Sequence, residues 1–300
     1  MKIFNKSVLL LVLPMTFLMA DNSKPISQLD FSSLVNDFME EDNALKTTIN
    51  LSGKQRMFTQ RMSKLALQVD LNIQKKKSMS DLKKIAELYA QTLKAFKNGD
   101  SNMGIKKATN SKVIAQIAIV EKAWEPFYAH VKTVADGKDD GKSLEYIMNK
   151  NEKLLGMSNE LVKQYEASNT SSNYLEKARL RVVNVAGRQR MLTQKMTKEK
   201  LLLLKGEKGY AKKLTGTINL FDSSLTSIMK GDKKQNISKP TNDKIINQLK
   251  VVSKMWETLK PLYVKEKNSA KELAIIISKN TLLLKEMNAM VQMAEKEVEY

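Results

Sequence analysis

Two arginines carry the first chemical signal in this chain. Arg56 lies in NLSGKQRMFTQRMSK (Asn50 to Lys64), and Arg190 lies in NVAGRQRMLTQKMTK (Asn184 to Lys198). Nine of the 15 paired positions are identical, at an offset of 134 residues, and the polar letters repeat as faithfully as the apolar ones. No Asp or Glu occurs from Asn43 to Val69, or from Lys177 to Lys198, so neither arginine has an acidic partner one helical turn away. A guanidinium packed into an interface without a carboxylate needs another anion, and its planar fork suits small oxyanions.

Helical periodicity explains how these residues are presented. Leu51, Phe58, Met62, Leu65 and Val69 form one stripe; Ile49, Gly53, Arg56, Gln60, Ser63 and Leu67 form a second on the roughly opposite face. In the second copy Val185, Leu192, Met196 and Leu203 make the core stripe, from which Glu199 departs, while Val183, Gly187, Arg190, Gln194 and Thr197 make the other. Gly inside a helix costs about 1 kcal/mol against Ala. Repeating that cost at Gly53 and Gly187 implies close approach of a backbone or ligand. The candidate ligand-binding set is Arg56, Arg190, Gly53, Gly187, Gln60, Gln194, Asn50 and Asn184. The bland alternative is two arginines on solvated faces.

The repeat extends past the motif. Gly99-Asp100 matches Gly231-Asp232, Thr109-Asn110 matches Thr241-Asn242, Trp124 matches Trp256, and Asn151…Leu154-Leu155 matches Asn280…Leu283-Leu284. The expected helices cover about 40–73, 81–97, 111–135 and 142–166, then 174–204, 210–230, 243–267 and 270–298. Lys75-Lys76-Lys77 reads as a turn and Ser80 as an N-cap. The expected fold is all-α: two tandem up-down-up-down four-helix bundles forming a pseudo-dimer. The segments are a signal peptide (1–20), a leader (21–39), a first bundle (40–166), a linker (167–173) and a second bundle (174–300). Such a bundle ends at the end where it began, so the second can start beside the first, parallel to it, with Arg56 facing Arg190. Trp124 and Trp256 read as core anchors.

Composition narrows the function classes. The 300 residues include 42% hydrophobic and 28% charged side chains, with 11 Gly and 5 Pro, as expected of a folded helical protein. With no Cys, thiolate metal sites, disulfides and Cys/His catalysis are excluded, and the single His, His130, reads as a surface or core residue rather than part of a Ser-His triad. No carboxylate pair marks a general acid/base site, so an enzyme is not expected, nor is a cofactor or a bound metal. Lys2 and Lys6, the apolar run Val8 to Leu18, and Ala20 followed by Asp21 read as a secretory signal, with a periplasmic destination. The net charge is +19, or +17 once Lys2 and Lys6 leave with the signal. Anionic partners suit that charge, but export makes nucleic acid a poor candidate.

The pattern N-x-x-G-[KR]-Q-R-M-x-T-Q-[RK]-M resembles the signature of the type IV pili methyl-accepting chemotaxis transducer N-terminal domain, the PilJ-type domain, related to the sensor region of NarX-type nitrate/nitrite sensor kinases. The resemblance implies a periplasmic helical sensor. It also implies that Arg56 and Arg190, near Gly53 and Gly187, bind a small anion such as nitrate or nitrite at an interface that two receptor chains would otherwise share. Gln55 and Gln189 follow the pilus-type subgroup. Family members are usually membrane receptors with an output domain; this sequence shows no second membrane segment and ends at Tyr300. The expected partners are therefore a small inorganic anion and a membrane receptor or sensor kinase, and homo-oligomerisation is compatible with the sequence. The alternative expectation is a protein-interaction module of a chemotaxis or pilus-associated system, without a small ligand.

Overall fold

The computed structural model describes residues 44–168 and 174–296; the signal, the leader and most of the linker expected from the sequence lie outside them. Among the described residues the regular structure is helical, in eight α-helices. These are α1 (Ala44–Asp70), α2 (Lys75–Asn98), α3 (Ser111–Ala135), α4 (Lys142–Ser168), α5 (Tyr174–Leu204), α6 (Tyr210–Lys230), α7 (Asp243–Val264) and α8 (Ala270–Lys296). Most boundaries fall within a few residues of those expected.

The start of α2 is the exception. The chain turns at Leu71–Gln74, where Asn72 and Gln74 take positive φ (56° and 47°), and the three lysines form the first helical turn instead of a loop. Asn tolerates the left-handed conformation, and it ends α1 earlier than the lysine run suggested. Ser80 therefore lies inside α2 and caps nothing.

Each half forms its own antiparallel set. In the first, α1 packs on α2 and α4, and α3 packs on both of these; in the second, α5 packs on α6 and α8, and α7 on both. Matched turns join α2 to α3 and α6 to α7. Asp100 and Ile105 exchange backbone hydrogen bonds of 2.8 Å, as do Asp232 and Ile237 at 2.7 and 2.9 Å. The glycine before each aspartate has positive φ (82° and 80°), and a Cβ there would strike the backbone nitrogen of Lys107 or Lys239. Asn110 and Asn242 then cap α3 and α7 with their side chains, closing the orphan N–H groups of the first turn.

Trp124 and Trp256 are core residues. Trp124 packs against Tyr89 with ring centroids 4.2 Å apart, and Trp256 against Phe221 at 4.6 Å. His130 stacks on Tyr146 and shares a 3.0 Å hydrogen bond with Ser143, a packing role.

The most extensive helix contact of the molecule joins the two motif helices, α1 and α5. They run parallel, as expected: Arg56 meets Asn184, and further along both helices Asp70 pairs with Lys205. The result is a helix buried on every face. All residues from Thr47 to Val69 are buried, and nearly all from Gln189 to Leu202. The stripe Leu51/Phe58/Met62/Leu65 enters its own bundle core, while Ile49, Gly53, Arg56, Gln60, Ser63 and Leu67 are covered as well. A motif helix buried in this way is a central element of the molecule rather than an amphipathic surface helix.

Candidate functional site

The α1–α5 contact brings the two arginines together. A Cβ added to Gly53 would lie 3.3 Å from Nη2 of Arg56 and 4.0 Å from Nη2 of Arg190; at Gly187 the distances are 3.2 Å to Arg190 and 3.7 Å to Arg56. The two Nη2 atoms therefore share the space over the glycines, no further apart than two such distances laid end to end. The repeated glycines remove side chains from the place the guanidinium tips occupy.

Each arginine reaches into the opposite motif. Arg56 Nη2 donates to Asn184 Oδ1 at 2.7 Å, and Arg190 Nη2 donates to Asn50 Oδ1 at 2.6 Å. Each also holds the last helix of its own half, through Nη1 to Asn159 Oδ1 at 3.1 Å for Arg56 and to Asn288 Oδ1 at 2.8 Å for Arg190. The cluster is thus a near-symmetric ring of two guanidiniums and four asparagines. Asn159 and Asn288 were missing from the sequence reading. The signal was present, since they share the 129-residue offset of Asn151 and Asn280.

Both arginines are buried, at 3% and 1% exposure. Burial pulls the Arg56 guanidinium down from its ordinary value to about 10; Glu166 works against that shift, while Arg190 and Arg188 add to it. The sequence places no carboxylate within one helical turn of either arginine. The structure supplies one from α4: Asn184 Nδ2 donates to Glu166 Oε1 at 2.7 Å, so Glu166 reaches Arg56 electrostatically through the asparagine. Burial pushes the Glu166 carboxyl up, against the pull of that hydrogen bond and of Arg56 and Arg181. The two guanidiniums converge as like charges, and Glu166 offsets part of that repulsion at Arg56. The arrangement is suited to accept an anion between the fork-shaped tips.

Gln60 and Gln194 do not join this ring. They lie about one turn further along, in a second polar layer. Gln60 Nε2 donates to Asn151 Oδ1 at 3.4 Å and Gln194 Nε2 to Asn280 Oδ1 at 3.1 Å. The same oxygens accept lysines from the opposite motif: Lys198 to Asn151 at 2.7 Å and Lys64 to Asn280 at 3.1 Å. Lys198 also pairs with Glu152 at 2.5 Å. The matched position on α8 is Thr281, so Lys64 has no such carboxylate, and burial pushes its ammonium well below its ordinary value. Gln55 and Gln189 have a third task, donating to the backbone carbonyls of Tyr89 and Phe221, both at 3.2 Å, to fix each motif helix to its neighbour.

Comparison with known proteins agrees with the repeat. The family profile described as "Type IV pili methyl-accepting chemotaxis transducer N-term" (PilJ) matches residues 39–147 and again 176–276. The chain is also 33% identical over 113 residues to the methyl-accepting chemotaxis protein McpN of Pseudomonas aeruginosa, an alignment covering 37% of this chain. It spans 21% of that relative's length. No solved structure matches the chain. Among the described residues no helix is long and apolar enough to cross a membrane.

Proposed function

The chain belongs to the PilJ family of type IV pili methyl-accepting chemotaxis transducer N-terminal domains, and on that premise we propose that it is a sensor module binding one small oxyanion between Arg56 and Arg190. The observation carrying this reading is the convergence of two buried guanidiniums over Gly53 and Gly187, each reaching an asparagine of the opposite motif. An anion there would receive charge-assisted hydrogen bonds from both motif helices. Nitrate and nitrite are the preferred ligands because they are planar or bent, small and singly charged, and because the motif resembles that of nitrate/nitrite sensors. Binding would draw α1 and α5 together, and a membrane signalling partner would read the altered packing of the two halves. The proposed location is the periplasm, on the strength of the signal-like N-terminus.

Calorimetric titration of the protein with nitrate, nitrite, sulfate and chloride tests the reading. Saturable heat with nitrate or nitrite, abolished in Arg56→Gln/Arg190→Gln, is expected. Equal heats in the double variant would defeat it.

A second reading is a docking module of a chemotaxis or pilus-associated system without a small ligand. It is supported by Ile119 and Val251, at matched positions on α3 and α7 and 47% and 45% exposed. It predicts a partner lost on Ile119→Lys/Val251→Lys, and no anion heat.

A further inference from the structure

The repeat contains its own control. The Gln55–Tyr89 and Gln189–Phe221 hydrogen bonds set the register of α2 against α6, as the motif sets α1 against α5. In that register Glu199 stands where the first half has Leu65, Thr217 where it has Ile85, and Gly216 where it has Lys84. Leu65 and Ile85 are buried in apolar core. Three replacements thus converge on one spot in the second half, each making it more polar or more open.

The outcome is a groove of about 420 Å³ between α5 and α6, reaching to Glu152 of α4. Met191, Leu192 and Leu220 give it an apolar lining, with Glu199 among the lining residues. The Glu199 side chain is fully buried, and neither of its carboxylate oxygens has a hydrogen-bond partner. The Thr217 hydroxyl donates instead to the Lys213 carbonyl at 3.0 Å. Lys195 Nζ lies 3.8 Å from Glu199, too far for a hydrogen bond, and is held by Glu152 at 2.8 Å. Lys213 turns its ammonium over the Tyr210 ring, 4.4 Å from the centroid. A buried carboxylate whose nearest cation stays at 3.8 Å is among the costlier features a core can hold; a leucine is tolerated at the same place in the first half.

We propose that this groove is a second binding site, for a small alkylammonium cation, with Glu199 accepting the ammonium and Met191, Leu192 and Leu220 covering its alkyl body. Of the charged lining groups, Glu152 and Lys195 neutralise each other and Lys213 lies over the Tyr210 ring, which leaves Glu199 as the group an anion would meet. A neutral apolar guest would leave Glu199 unpaired. Burial pushes the Glu199 carboxyl up and the Glu152 charge adds to that, against the pull of the nearby Thr217 hydroxyl, Lys195 and Lys198; an ammonium favours the ionised form. Binding therefore strengthens as pH rises until Glu199 is fully ionised.

The test is titration of the full chain with n-butylammonium, with butanol and butyrate as neutral and anionic controls. The expected result is saturable binding of the ammonium alone, weakened at least tenfold in Glu199→Gln and in Glu199→Leu. The second variant restores the residue of the first half and is expected to melt no lower than the wild type. Nitrate titration of both variants reads the arginine site separately and is expected to be unchanged. The proposal is overturned if n-butylammonium does not bind, if butanol binds equally well, or if Glu199→Leu binds n-butylammonium as the wild type does.

Discussion

At the scale of single residues the site is a question of space and charge. Gly53 and Gly187 stand where a Cβ would press on a guanidinium tip at 3.3 and 3.2 Å. Alanine would gain about 0.5–1 kcal/mol of helix propensity, while the flexible arginine ends would shift a few tenths of an ångström. Gly53→Ala/Gly187→Ala is therefore expected to melt at or above the wild-type temperature while losing about tenfold in anion affinity, about 1.4 kcal/mol. Melting and calorimetry on the same samples check both halves of that statement. Lys64 makes the complementary case. It is 4% exposed, and its acceptor Asn280 Oδ1 already receives Gln194, so removing the lysine does not strand the asparagine. Lys64→Met is expected to raise stability, on the order of 1 kcal/mol, in chemical denaturation at neutral pH. The arginines and glycines were legible in the sequence because they repeat inside a contiguous motif. Asn159 and Asn288 showed only as a matched pair, and Glu166 not at all, because they come from α4 and α8, about a hundred residues from the arginines they serve, and only folding supplies that proximity.

At the scale of elements, α1 and α5 are joined by polar layers rather than by an apolar seam alone. Glu152 of α4 holds both Lys195 and Lys198 of α5, at 2.8 and 2.5 Å. Burial on its own would raise the Glu152 carboxyl, but the charges and hydrogen bonds of Lys198 and Lys195 outweigh it and bring the value down from 4.5 to about 2. A carboxylate depressed on folding contributes stability above its unfolded value and loses it as pH falls towards its folded value. The bridge is therefore in place above about pH 4.5 and lost between there and about pH 2. Melting temperatures across that window are expected to fall more steeply for the wild type than for Glu152→Gln. The difference will be modest, since the Glu152 side chain is 42% exposed and solvent screens it. The helices themselves were largely legible from apolar spacing and from Asn and Gly punctuation. The start of α2 was not, because three successive lysines read as a polar turn when the left-handed Asn72 had already made the turn.

At the scale of the whole molecule, the chain carries two copies of a PilJ-family sequence and buries the motif helix of each against the other. Either half alone would expose Arg56 or Arg190 with the polar layer beside it. A fragment of residues 40–168 is expected to self-associate, or to pair with a fragment of 174–300 on mixing, and light scattering distinguishes these outcomes from an independent monomer. The parallel placement of α1 and α5 was legible from bundle topology and a short linker, since an even number of antiparallel helices returns the chain to its starting end. The cross-bonding of each arginine to the opposite motif was not, because spacing within one helix says nothing about which asparagine will face it. That cross-bonding makes a sharp claim about stoichiometry, and the most direct measurement is calorimetric titration with nitrate of the wild type, Arg56→Gln and Arg190→Gln. A shared site predicts one nitrate per chain and loss of binding in either single variant. Two nitrates per chain, or one retained in each single variant, would contradict it.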